Sequence, residues 1–244
     1  MTFTYDVDHV DGATVVRPEG RLDLSTYVPL RDGLLKCAVT GPSAVVVLLG
    51  DGFEFATPAL MSVFSTVWTR VAEWPGVRIM LVGESDPHRA ALAGGGAGRF
   101  VPHYPTLADA LEAVEQPAQP RRDEALLPDT PVGALIARQF VRETCERWDL
   151  GDRIEDAVLV ATELVENALE HTRSAPSLRL ELRGGRLVVA VRDGGATPPK
   201  PPPPAGRGLL PGGRGMRMVE SVSRVWGHSP WPGGGKVVWA VLGR

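Results

Sequence analysis

Cysteine is scarce in this sequence, and its two copies lie far apart. Cys37 and Cys145 form no CxxC pair, so the pattern indicates neither a disulfide framework nor a cysteine-based metal site. The five histidines are scattered and show no zinc-ligand spacing. These shortages exclude a disulfide-stapled scaffold, and we interpret both cysteines as reduced packing residues.

Long hydrophobic runs are missing as well. No stretch reaches the roughly 18 consecutive apolar residues that a transmembrane helix needs. The first residues, Met1 to Val7, contain neither a basic start nor the apolar core of a signal peptide. We therefore expect a cytoplasmic protein that does not act at a membrane.

The sequence also has no concentrated basic face. Its formal net charge is −3, and residues 1–118 carry 8 Lys and Arg against 14 Asp and Glu, whereas the remainder carries 18 against 15. The two parts thus differ in sign, at −6 and +3. This distribution argues against direct nucleic-acid binding and favours two modules that could attract each other.

The first part of the chain alternates predicted strands with predicted helices. Asp11-Gly12 marks the turn of an opening hairpin, and further strands are predicted at 44–49, 77–82 and 100–101. Helices are predicted to start at Ser25, at Thr57-Pro58, at Pro87 and at Thr106. Residues 1–116 are therefore predicted to form an α/β domain with a mixed sheet.

A polar, proline-containing stretch follows and predicts a linker over residues 117–127. The second domain, residues 128–244, is predicted to begin with two helices, the second around Ala161 to Thr172. A β-hairpin turns at Gly184-Gly185, and a helix from Met216 precedes two final strands. This order predicts an α+β two-layer domain with its helices on one face of the sheet.

One segment of the second domain is too rich in proline and glycine for regular structure. Residues 194–213 hold 7 prolines and 6 glycines among 20 residues. We predict an extended loop there. It serves either as a docking surface or as a low-complexity insertion without a role.

Glu163 and Asn167 are the first candidate functional residues. They are four residues apart on a predicted helix, so both project from one face beside its apolar stripe. A carboxylate can accept a proton, and a carboxamide oxygen can join a magnesium shell of waters and phosphate oxygens. A solvated polar face is the alternative interpretation of this pair.

Two further features favour a nucleotide site. Asp193, at a predicted strand end, can accept a hydrogen bond from the exocyclic amine of adenine. Gly213 and Gly215 precede a helix, where backbone N–H groups can approach a triphosphate. The ordered combination of these features with Glu163 and Asn167 predicts ATP and Mg²⁺ as cofactors.

The second domain resembles the Bergerat-fold (GHKL, histidine-kinase-like) ATPases, in particular the serine-kinase anti-sigma factors of bacteria. The resemblance covers about residues 128–243. It rests on Glu163-Leu-Val-Glu-Asn167-Ala-Leu-Glu-His171 and on the glycine box that starts at Gly213. It implies that Glu163 is the catalytic base and Asn167 the magnesium ligand. Asp193 would contact adenine, and the residues implied to form the nucleotide loop are Gly195, Gly213, Arg214, Gly215 and Met216.

The second domain departs from that family before its last strand. The family often has Gly-x-Thr there, whereas this sequence has Gly235-Lys236-Val237. A hydroxyl contact near the adenine base is therefore missing.

The first domain resembles the STAS domains of anti-sigma factor antagonists over about residues 3–115. The resemblance rests on Gly20-Arg-Leu-Asp23, on the strand from Val45 to Leu49 and on the helix after Thr57. Antagonists carry a phosphate-accepting serine at the start of that helix, where this chain has Pro58. The resemblance therefore implies a STAS-like domain without its usual acceptor. Thr57 is the remaining hydroxyl, and we interpret it as a helix cap.

Together, the two resemblances imply an ATP-binding regulator of the anti-sigma factor type. We expect a serine/threonine protein kinase that acts on a separate antagonist protein. The alternative is a non-catalytic ATP-dependent binding module, docked on or regulated by its own STAS-like domain. The partners implied are a sigma factor, a separate antagonist and the fused STAS-like domain, and a homodimer is compatible with this class.

Overall fold

A computed structural model describes residues 3–94, 96–114, 121–199 and 214–242. The chain divides into two compact units, Met1–Pro117 and Ala118–Arg244. The proline-rich segment lies outside the described residues from position 200 to position 213, as do residues 115–120 of the predicted linker.

The first unit is built on a mixed sheet. β1 and β2 form the predicted antiparallel hairpin, and the remaining pairings are parallel, in the order β1-β2-β3-β5-β6 with β4 beside β2. Its strands are β1 (Thr4–Val10), β2 (Ala13–Leu22), β3 (Ala44–Leu49), β4 (Phe53–Phe55), β5 (Arg78–Gly83) and β6 (His103–Tyr104).

Helices cover both faces of this sheet. They are α1 (Leu24–Val39), α2 (Ser62–Glu73), α3 (Asp86–Ala93) and α4 (Leu107–Glu112). Alternate residues of β3 enter two different hydrophobic clusters. Val45 and Val47 join residues of α1 and α2, whereas Val46 and Leu48 join Ala110 of α4. This confirms the predicted α/β fold and explains why β3 is apolar without alternation.

Several local predictions for the first unit were wrong. Asp23, not Ser25, caps α1, because its carboxylate accepts bonds from the Ser25 and Thr26 amides in a capping box. The helix expected at Thr57 opens with a 3₁₀ turn, Pro58–Met61, before α2 begins. No strand forms at 100–101, because a 3₁₀ turn at Gly96–Arg99 occupies that region and the strand is β6.

The second unit contains a five-stranded antiparallel sheet in the order β10-β11-β9-β8-β7. The strands are β7 (Arg121–Leu126), β8 (Ser177–Arg183), β9 (Arg186–Asp193), β10 (Ser223–Pro230) and β11 (Lys236–Leu242). The glycine hairpin is confirmed, and Gly184 and Gly185 have φ values of 55° and 77°, as a two-residue hairpin turn requires.

The predicted linker 117–127 was wrong over residues 121–126, because these form β7 and pair with β8. Arg122 of β7 contacts the buried Glu181 carboxylate at 2.9 Å, and Ser177 donates a hydrogen bond to Glu124. Both partners belong to β8, which is distant in sequence. The polar composition of residues 121–126 alone therefore did not indicate a strand.

Three helices of the second unit are α5 (Val132–Arg147), α6 (Ile154–His171) and α7 (Arg214–Val222). They bury their apolar stripes on one face of the sheet in a single cluster. That cluster includes Leu164 and Val165 of α6, Val189 of β9, Val219 of α7 and Val238 of β11. The predicted α+β two-layer arrangement is confirmed, and α6 lies central among these elements.

Candidate nucleotide-binding site

The helix α6 places the predicted carboxylate and carboxamide together. Ala161, Leu164 and Ala168 are buried, whereas Glu163 and Asn167 lie half-buried at the margin of that stripe. The two polar side chains are one helical turn apart and therefore project in nearly the same direction.

Glu163 lies directly against the start of α7. A Cβ atom built on Gly215 would collide with the Glu163 carboxylate oxygen Oε2. Glycine therefore allows the first turn of α7, with its unpaired N–H groups, to approach a carboxylate side chain closely. The structure brings these two predicted site residues together although they are distant in sequence.

The protein environment shifts the acidity of Glu163. Burial raises the pKa of its carboxyl above the ordinary value, the Glu166 carboxylate raises it further, and the Arg138 guanidinium opposes both. Arg138 is held in place by an ion pair with Glu166 at 3.2 Å and a hydrogen bond to Thr162 at 3.1 Å. A carboxylate with a raised pKa is a stronger proton acceptor, as a general base requires.

Asp193 lies at the end of β9 with its side chain 1% exposed. Its Oδ1 accepts a hydrogen bond from the Gly195 amide at 2.7 Å and another from the Lys236 ammonium at 2.9 Å. Its Oδ2 is buried and has no hydrogen-bond partner among the described residues. A buried carboxylate oxygen without a partner is costly, so it is the natural acceptor for a ligand N–H group.

The backbone around Gly195 ties this strand end to the end of α6. A Cβ atom on Gly195 would lie 2.7 Å from Thr172 Cγ2 and 3.2 Å from Asp193 Oδ1. The Gly194 amide donates to the Ser174 hydroxyl at 2.8 Å, which in turn lies 3.0 Å from the Thr172 hydroxyl. Close approach of Gly195 thus brings the predicted adenine contact next to the helix that carries Asn167.

Lys236 is a candidate site residue that the sequence does not reveal. In the sequence it is only part of a segment without the expected hydroxyl, yet it is 4% exposed and also donates to the Gly195 carbonyl at 3.2 Å. The informative signal is the pairing of β9 with β11, which sets Lys236 opposite Asp193. In the sequence, this pairing is indicated by a polar residue at the start of an otherwise apolar strand.

The other predicted residues of the nucleotide loop differ in their placement. Met216 is 6% exposed and its side chain belongs to the hydrophobic core, so only its backbone can face a ligand. Gly213 and the side chain of Arg214 lie outside the described residues.

Thr57, in the first unit, is exposed and occupies the cap position of a 3₁₀ turn, but its side chain makes no capping hydrogen bond. It lines a cavity of about 570 Å³ together with Asp23, Leu24, Ser25, Ala56 and Leu60. The prediction that Thr57 occupies the cap position is therefore confirmed, although its hydroxyl makes no capping bond.

The residues present fit ATP. The unpartnered Asp193 Oδ2 matches the exocyclic amine of adenine, and the backbone N–H groups at a helix start, such as that of α7, suit phosphate oxygens. Among the described residues no group of three or more His, Cys, Asp and Glu side chains could hold a metal ion. Asn167 is the side chain that would hold Mg²⁺, together with phosphate oxygens and water.

A half-buried carboxylate beside a helix start and a buried acceptor at a strand end thus lie in one α+β domain. Residues 127–241 match the family model described as the histidine kinase-like ATPase domain. This part of the chain is thus a histidine-kinase-like ATPase domain, as the sequence resemblance implied.

The solved structures that match the chain correspond to its N-terminal half. An anti-sigma factor antagonist from Mycobacterium paratuberculosis is 25% identical, with a TM-score of 0.40, and the match covers 46% of this chain and 94% of that one. The anti-sigma factor antagonist SpoIIAA in its unphosphorylated form is 17% identical, with a TM-score of 0.36 and coverage of 46% and 96%. No curated protein matches the chain. None of the helices in the described ranges has the length and apolar character to cross a membrane.

Proposed function

We propose that this protein is an ATP-dependent serine/threonine kinase of the anti-sigma factor type. The observation that carries the proposal is the position of Glu163, which lies against Gly215 within a histidine-kinase-like ATPase domain and has a raised pKa. A proton acceptor at the phosphate end of a nucleotide site supports phosphoryl transfer to a hydroxyl group.

Each residue has a separate task in this proposal. Asp193 binds and orients the base of ATP, while Asn167 and the first amides of α7 hold the phosphate end. Bound Mg-ATP supplies the transferable γ-phosphoryl group. Glu163 takes the proton from the attacking hydroxyl of the target protein, and the amides near Gly215 stabilise negative charge on the phosphate oxygens.

The target hydroxyl is proposed to belong to a separate antagonist protein. The STAS-like unit has Pro58 at the position of the usual phosphate-accepting serine. Proline has no hydroxyl, so this unit cannot accept a phosphate there. Thr57, exposed and without a capping bond, is the acceptor that self-phosphorylation would use.

Intact-mass measurement after incubation with Mg-ATP tests the proposal. With a candidate antagonist present, the antagonist should gain one phosphate while this chain keeps its mass. Glu163→Gln should abolish the transfer and retain ATP binding, whereas Glu170→Gln, an exposed carboxylate on the same helix, should leave both unchanged. Transfer at the normal rate by Glu163→Gln would refute the assigned role.

A second function, a non-catalytic ATP-dependent binding module, is favoured by the missing acceptor and the opposite charges of the two parts. A STAS-like unit that is never phosphorylated at the usual position could stay docked on its own ATPase domain and regulate it. Separately expressed residues 1–117 and 118–244 would then associate, and the association would weaken with salt. Two halves that do not associate would eliminate this alternative.

A further inference from the structure

Lys236 has no role in the function proposed above, although burying its ammonium group is expensive. Only 5% of its side chain is exposed. Burial of an amine is tolerated when it is paired and hydrogen-bonded. The buried Lys236 ammonium lies directly beside Asp193, the aspartate that is proposed to bind the base.

The sheet register places Lys236 and Asp193 on the same face. They are direct cross-strand partners, and the next pairs on that face, Val238 with Val191 and Ala240 with Val189, all belong to the hydrophobic core under the helices. The ion pair therefore adds one more pair to the core-facing side of the sheet, at the end where Thr172, the residue after α6, meets Gly195. It lies on the helix-covered face of the sheet, next to Gly195, rather than on the outer face.

Counting hydrogen bonds leaves one donor and one acceptor side by side. An ammonium group has three N–H donors. Among the described residues Lys236 uses two, towards Asp193 Oδ1 at 2.9 Å and the Gly195 carbonyl at 3.2 Å. Asp193 Oδ2 accepts none. The pair thus offers a ligand one carboxylate acceptor next to one ammonium donor.

This arrangement is complementary to one edge of adenine. Adenine presents its exocyclic amine, a donor, next to the ring nitrogen N1, an acceptor. We propose that Lys236 determines base specificity by donating its third N–H to N1, while Asp193 Oδ2 accepts from the amine. This inference rests on the proposed binding of ATP at this site.

Binding of 1-deaza-ATP to the full chain tests the inference, because this analogue keeps the amine and has a C–H group in place of N1. Affinities would be measured by calorimetry in the presence of Mg²⁺. Wild type should bind 1-deaza-ATP about tenfold more weakly than ATP or worse, the size of effect expected for a lost hydrogen bond to a charged donor. Equal binding of the two nucleotides would overturn the role of Lys236.

Variants test whether Lys236 is responsible for the discrimination between ATP and 1-deaza-ATP. Lys236→Met should bind the two nucleotides with affinities within about twofold of each other, whereas Arg142→Met, which removes an exposed cation from α5, should discriminate as wild type does. Discrimination that survives in Lys236→Met would mean that another group reads N1. If Lys236→Met binds neither nucleotide, Lys236→Gln, which keeps an uncharged donor, should still prefer ATP; loss of that preference overturns the proposal.

Failure of the inference differs from failure of the proposed function. A wild-type protein that binds no ATP at all refutes both. A wild-type protein that binds ATP and 1-deaza-ATP equally well refutes the role of Lys236 alone.

Discussion

The acidity of Glu163 is set by the two helices that surround it. Burial against the start of α7 and the Glu166 carboxylate raise its pKa, whereas the Arg138 guanidinium of α5 lowers it. Arg138 and Glu166 also form an ion pair, so these two exposed residues adjust, in opposite directions, a pKa that burial has already raised.

Removal of the Arg138 charge and removal of the Glu166 charge should shift the pH dependence of phosphoryl transfer in opposite directions. A general base must be ionised, so transfer is lost as pH falls through the pKa of Glu163. Arg138→Met removes the opposing influence, raises that pKa and shifts the acidic limb to higher pH. Glu166→Gln should shift the limb to lower pH. Single-turnover rates across pH check this, and a shift of both variants in the same direction would contradict it.

Substitution of Gly215 tests the close approach of α7 to Glu163. Alanine is the better helix former by about 1 kcal/mol, yet its Cβ would collide with the Glu163 carboxylate. Gly215→Ala should therefore slow transfer by about 100-fold through misplacement of the base and weaken ATP binding. Phosphotransfer rates and calorimetry would measure both effects.

Two controls accompany that variant. A Cβ on Gly151 meets no atom within 4 Å, so Gly151→Ala should behave as wild type. In a Glu163→Ala background, Gly215→Ala should cost no ATP affinity, because the colliding carboxylate is gone. If Gly215→Ala still reduced ATP affinity in the Glu163→Ala background, the added Cβ atom would collide with a group other than the Glu163 carboxylate.

The spacing of residues along a helix could be predicted from sequence, whereas the cap of α1 and the contacts between elements could not. Glu163 and Asn167 follow from helical spacing alone. Asp23 rather than Ser25 caps α1 because a reciprocal bond with Thr26 forms, which composition does not distinguish. Lys236 became visible only through its register with Asp193.

At the scale of elements, β7 is the clearest addition to the predicted fold. It lies at the edge of the second sheet and pairs with β8 from Arg121↔Leu182 to Leu126↔Ser177. Its residues are largely exposed and charged, as is common for an edge strand. Periodicity could not reveal it, since its stability comes from β8 and from partners such as Glu181.

Proline substitutions can distinguish the β7 residues whose amides point towards β8 from those whose amides point away. The Leu127 amide bonds to the Pro176 carbonyl at 2.8 Å, so in antiparallel alternation the Ala125 amide also points towards β8 and the Leu126 amide points away. Ala125→Pro should cost about 1–3 kcal/mol of unfolding free energy in the second unit. Leu126→Pro should cost much less. Urea denaturation would compare them, and equal costs would contradict the strand register.

At the scale of the whole molecule, the chain has two units with separate hydrophobic cores. The clusters of the first unit and the single cluster of the second share no residue. The site residues Glu163, Asn167, Asp193 and Lys236 all lie in the second unit.

Nucleotide should therefore stabilise the two units unequally. ATP at about 100 times its dissociation constant adds about 2.7 kcal/mol to the unit that binds it. In thermal unfolding with Mg-ATP, the transition of the second unit should move up and that of the first should stay in place. Asp193→Asn, which weakens the acceptor for the base, should reduce the shift. An equal upward movement of both transitions would show that the two units unfold together.

The position of β11 has a consequence for biosynthesis. Although it follows β7, β8, β9 and β10 along the chain, it lies between β10 and β9 in the sheet. A nascent chain on the ribosome can therefore pair β8 with β9 early, but β10 has no neighbour until Lys236 to Leu242 have emerged. Any message truncated before that point would leave the edge of β9 unpaired and open to association with other chains.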